Sequence, residues 1–197
     1  MKKYILIFVC ILMSSHVASK PTMNIKKIVE QNENNILTPE DVKKGIPQIQ
    51  SSHFPMSWKQ INYGQYKNKT SYRYLFSKYE ENKTFYKLEV NGSAIETSEY
   101  FIERGLEFTI SKGATNMDSG MNNGCIFVLG ECEYPYINES KVLSTSFKNG
   151  VWTSKYPNGS GSGVITAVYD KYGLVIYKHM VVKNSIEHFE SETVREK

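Results

Sequence analysis

The stretch Gly163–Val182, "GVITAVYDKYGLVIYKHMVV", decides the fold. Two apolar, β-rich runs, Val164 to Tyr169 and Leu174 to Val182, flank the four residues Asp170 to Gly173. Val, Ile and Tyr suit a pleated backbone, and an Asp-to-Gly break of this length supplies turn chemistry. The reading is an antiparallel hairpin.

Working outward, the same texture recurs. "SYRYLFSKY" sets Tyr72, Tyr74 and Phe76 on one face against Arg73, Leu75 and Ser77 on the other. "TFYKLEVNG" alternates Tyr86, Leu88 and Val90 with Phe85, Lys87 and Glu89, and ends in an Asn-Gly turn. "GLEFTISKG" gives Leu106, Phe108 and Ile110 a shared face between two glycines. Short strands separated by turns predict a mainly β domain over 56–183, an antiparallel sandwich or small barrel.

The flanks read differently. Met1–Ser19 has Lys2 and Lys3, then an apolar run from Tyr4 to Met13, then small residues. That is the order of a signal peptide cut after Ser19, and the run is about half of what a bilayer span needs. The expectation is an exported, secreted or periplasmic chain with no span left after cleavage. Residues 20–55 read as a helical or irregular lead-in. Ile25, Ile28 and Val29 share a helical face. Thr38 suits a helix cap, with Pro39 first in the helix and Gly45 as the stop. Its composition predicts a dispensable segment that proteases cut first. Residues 184–197 read as a charged tail, either helical or disordered.

Cys125 and Cys132 are the cysteines that survive cleavage. Their spacing fits neither a zinc site nor a redox C-x-x-C, and the histidines are scattered. An export compartment favours a disulfide. Seven extended residues would span about 23 Å, whereas bridged Cα atoms lie roughly 4.4–6.8 Å apart, so the chain must reverse near Gly130. A structural disulfide is expected.

Chemistry finds little material. The formal charge of +4 falls by the two leader lysines, and the arginines are only Arg73, Arg104 and Arg195, a poor footprint for nucleic acid. "GSGSG" at Gly159–Gly163 matches neither a nucleophile elbow nor a dinucleotide loop and reads as a turn or strand end. Asn116, Asp118 and Asn122 lack the spacing of a calcium loop. Glu131 and Glu133 read as solvated charge. His179, on a strand face with Val175, Tyr177 and Val181, reads as half-buried and hydrogen-bonded. No cofactor, metal or catalytic residue is assigned.

Two features point to binding. Half of the chain's 14 tyrosines fall between Tyr63 and Tyr100, and tyrosine presents an apolar face with a polar tip to proteins and sugars. Tyr72 and Tyr74 are the candidate binding pair. Five N-x-S/T triplets, at Asn68, Asn82, Asn91, Asn138 and Asn158, are candidate glycan acceptors. The expected function is a noncatalytic recognition protein, of the inhibitor, immunity or host-interaction type, with a protein or carbohydrate partner. The alternatives are a small barrel carrying an apolar ligand and a secreted hydrolase with an unrecognised site.

Overall fold

The structure, a computed structural model, describes residues 24–31, 36–38, 41, 46–64, 67–103, 106–111, 144–158, 161–184 and 188–197. Among the described residues a short helix, α1 (Ile25–Gln31), precedes a 3-10 turn at Ser51–His53. The strands that follow are β1 (Met56–Tyr63), β2 (Asn68–Glu80), β3 (Lys83–Val90), β4 (Ser93–Ala94), β5 (Ser98–Glu103) and β6 (Leu106–Ser111). After the undescribed stretch come β7 (Ser144–Lys148), β8 (Val151–Asn158), β9 (Gly161–Tyr169), β10 (Val175–Asn184) and β11 (His188–Glu196). All the pairings are antiparallel, in the order β6-β5-β3-β2-β1-β11-β10-β9-β8-β7, with β4 on the rim of β3. Among the described residues β6 and β7 end the order without pairing with each other, so the sheet is open and sandwich-like rather than a closed barrel.

The hairpin that announced the fold is β9–β10. Gly173 donates its N–H to the Asp170 carbonyl and Asp170 donates to that of Leu174, closing the turn. A bulge at its mouth pairs Val175 with Tyr169 but Tyr177 with Val168. An extra residue flips the alternation. Val175 therefore joins the main core, while Tyr177 faces the opposite side with Val168 and Ile176. The sequence had put Val175 and Tyr177 on one face.

The main core lies on one face, here called inner. Trp58, Tyr74, Tyr86, Leu88, Ile102, Ile165, Ala167 and Met180 contribute to it from six strands. Tyr74 stacks on Tyr86 at 4.0 Å and tilts against Trp58 at 4.9 Å. Through this face runs a cross-strand row, Trp152–Ala167–Lys178–Thr193–Gln60–Thr70, polar from Lys178 to Thr70, each member paired with the next across β8, β9, β10, β11, β1 and β2.

The two flanks depart from expectation. The lead-in is part of the core: Leu37, Ile46 and Ile49 are 0, 5 and 1% exposed and pack in the inner cluster. Leu37 donates its N–H to the Tyr169 carbonyl, and Thr84 Oγ1 donates to that of Ile49. Thr38 caps as the sequence implied, with Asp41 N–H donating to Thr38 Oγ1 at 3.1 Å, and the structure adds a return bond from the Thr38 N–H to Asp41 Oδ2. On the outer face, α1 lays Ile28 against Val168, Ile176 and Tyr177. The charged tail is corrected too. His188–Glu196 is β11, a strand near the middle of the sheet between β1 and β10. It also carries Arg195, whose Nη1 meets Asp170 Oδ2 at 2.7 Å and whose Nε donates to the Val175 carbonyl. The last strand thereby clamps the β9–β10 turn.

Candidate functional site

Two places gather functional groups. The first is on the outer face. Register puts Tyr63 opposite Glu190 and His179 opposite Glu192, so one surface of β1, β11 and β10 collects these four side chains and Tyr177. Glu192 is 5% exposed. Its Oε2 accepts from the Tyr63 hydroxyl at 2.6 Å and its Oε1 from the Tyr177 hydroxyl at 3.0 Å. Burial, then the Glu192 hydrogen bond and charge, pushes the Tyr63 phenol up to about 12. Burial, followed by the Glu192 charge, raises the Tyr177 phenol as well. Beside them His179 Nε2 meets Glu190 Oε1 at 2.9 Å.

This arrangement works against chemistry. Both Glu192 oxygens are taken up by phenol hydrogen bonds, and a phenol held protonated is a weak nucleophile. The group ties three strands together. His179 is half-buried and hydrogen-bonded, as its strand position implied. Tyr63, Tyr177 and Glu192 were not singled out in the sequence, because only the β1–β11–β10 register brings them together.

The second place is a cleft at the rim of the sheet. β3 changes partner along its outer edge: Thr84–Tyr86 pair with β5, whereas Glu89 and Val90 pair with β4. Ile95 returns its N–H to the Leu88 carbonyl, and the chain then stands off before β5 begins. On the other side, a bulge between Phe76 and Lys78 breaks the β2–β3 register. The gap between them is a cleft of about 480 Å³. Phe85, Tyr86 and Tyr100 give it aromatic wall, and Lys78, Lys87, Glu96 and Glu99 give it charge of both signs. Lys78 is occupied, with its Nζ 2.8 Å from Glu80 and 4.6 Å from the centre of the Phe85 ring. Tyr86 is 3% exposed, and its hydroxyl is buried without a hydrogen-bond partner among the described residues.

The tyrosine pair divides. Tyr74 is 1% exposed and belongs to the core, so it cannot present a face to a partner. Tyr72 is half-buried and donates its hydroxyl to Gln60 Oε1 at 3.1 Å. The cleft lies elsewhere in the same tyrosine-rich stretch, at Tyr86 and Tyr100. Among the sequons, Asn68, Asn82 and Asn91 are exposed. Asn68 Oδ1 accepts from Asn62 Nδ2, and Asn91 Oδ1 accepts from the Ser71 N–H. Asn158 ends β8, and Gly161–Gly163 begin β9, as a strand end should. Cys125, Cys132, Asn138, Glu131, Glu133 and Asp118 lie outside the described residues. No helix among the described residues is long and apolar enough to cross a membrane. No protein-family model matches the chain, and no curated protein does either.

Proposed function

We propose that the chain is an exported recognition protein that binds a protein or carbohydrate partner through the rim cleft, without chemistry of its own. The cleft carries the reading. Its volume falls in the range of roughly 300–1,000 Å³ typical of ligand sites, and its aromatic wall with a few convergent polar groups is what such sites use. The tight titratable cluster, by contrast, sits elsewhere and is saturated by its own hydrogen bonds. The leader-like Met1–Ser19, the Cys125–Cys132 pair and the exposed Asn68, Asn82 and Asn91 support export.

The test is a panel of peptides and glycans offered to wild type and to Tyr100→Ala. Binding should weaken in the variant by about 2 kcal/mol, with unchanged circular dichroism. Equal binding would move the site away from the cleft. Export is tested separately by mass of the recovered chain, which should begin at Lys20 and resist alkylation until reduced.

A further inference from the structure

We infer that Asn91 is a modification site whose side-chain nitrogen takes an N-linked oligosaccharide during export. This rests on the export half of the reading above and not on the cleft.

The turn between β3 and β4 argues it. Asn91 and Gly92 stand at φ 51° and 82°, the left-handed pair that a two-residue hairpin needs and that Asn-Gly supplies. The Asn91 N–H donates to the Ser71 carbonyl at 2.9 Å, and Asn91 Oδ1 accepts from the Ser71 N–H at 2.9 Å. A backbone N–H can only donate, so the carboxamide atom facing Ser71 is the oxygen and Nδ2 is left on the other side. Nδ2 makes no hydrogen bond among the described residues. The space around it is open. Residues Asn91, Gly92, Ser93 and Ala94 are all exposed, and a Cβ on Gly92 would meet nothing within 4 Å.

The two other sequons described in full close as the chain folds. Thr70, which completes the Asn68 triplet, is half-buried. Thr84, which completes the Asn82 triplet, is 0% exposed and donates its Oγ1 to the Ile49 carbonyl. Only Asn91 and Ser93 keep the acceptor nitrogen and the hydroxyl that defines the triplet exposed together. The donor is an oligosaccharide carried on a lipid pyrophosphate. The bond from sugar C1 to the pyrophosphate oxygen breaks, C1 bonds to Nδ2, one of the two Nδ2 protons is lost, and the lipid pyrophosphate leaves. Oδ1 takes no part, so the Ser71 bond and the turn survive the modification.

The test is expression of the full chain, leader included, in a eukaryotic secretory cell, with mass analysis of the chain recovered from the medium. Trypsin releases Leu88–Arg104, in which Asn91 is the sole asparagine. This peptide should carry a hexosamine-containing glycan that peptide N-glycosidase removes. Ser93→Ala takes away the triplet's hydroxyl and leaves Asn91 in its turn, so it should abolish the glycan with unchanged circular dichroism. A secreted chain whose Leu88–Arg104 is unmodified overturns the assignment and leaves export standing. A glycan that persists in Ser93→Ala overturns it as well. A chain that never reaches the medium overturns export and the glycan together, whereas the cleft is decided separately by Tyr100→Ala.

Discussion

Glu192 shows how one residue's role is set by what surrounds it. In sequence it is one of a run of charges near the end of the chain. In the fold it is a buried acceptor for two phenols, Tyr63 and Tyr177. The Tyr63 value of about 12 lies above the unfolded value, so the sign is fixed. Its contribution to stability is complete below pH about 10 and is lost as pH rises through the folded value. Expected outcome: the tyrosinate absorbance shows late-titrating phenols, and thermal stability declines between pH about 10 and 12. Glu192→Gln should bring these phenols part of the way back, since burial is the larger cause and remains. Tyr63→Phe should lower stability by about 1.5–3 kcal/mol, as a buried carboxylate loses a donor. At the neighbouring scale of packing, Tyr74→Ala should cost about 3–5 kcal/mol in chemical denaturation. Tyr72→Ala should cost less, because that ring is only half-buried. A small effect at Tyr74 would mean the inner face is looser than its stacked rings imply.

At the scale of elements, the lead-in is the informative case. Its described residues form no strand, yet Leu37, Ile46 and Ile49 fill the inner core and Ile36 lies over the β7–β8 turn at Gly150. A Cβ on Gly150 would overlap Ile36 Cγ2, and the backbone there is left-handed at φ +74°. Gly150→Ala should therefore destabilise by about 1–2 kcal/mol from backbone alone, with more from the collision. Ile36→Ala should relieve only the collision. A double-mutant cycle measured by denaturation will show that coupling if the lead-in docks as described, and none if it does not. Proteolysis should accordingly begin elsewhere than Leu37–Pro55.

For the whole molecule, the consequence is cooperativity. β1 and β11 meet in the sheet although they come from opposite ends of the described strands, and one cluster joins residues of the lead-in, β1–β3, β5, β9 and β10. Trp58 sits at 0% exposure in that cluster and donates its indole N–H to the Val175 carbonyl. Unfolding followed by tryptophan fluorescence and by far-UV circular dichroism should give coincident transitions. Separate transitions would show that the two halves of the sheet are independent units.

The sequence by itself determined what local physics determines. The β9–β10 hairpin was legible because β-branched runs flank a turn, and β3 because alternation ends at Asn91-Gly92, both at positive φ. The Thr38 cap and the face of α1 followed from residue type and spacing alone. Tertiary structure decided the rest. Residues 188–196 read as a tail because Glu190, Glu192 and Arg195 look solvated, and only the phenols and His179 from other strands and Asp170 from the β9–β10 turn stabilise them in a central strand. Val175 and Tyr177 part company because a bulge shifts the register by one residue, which no periodicity records. The cleft is further still from the sequence. It exists because β3 exchanges one neighbour for another along its edge, and strand partnership is a long-range choice made by the packed sheet.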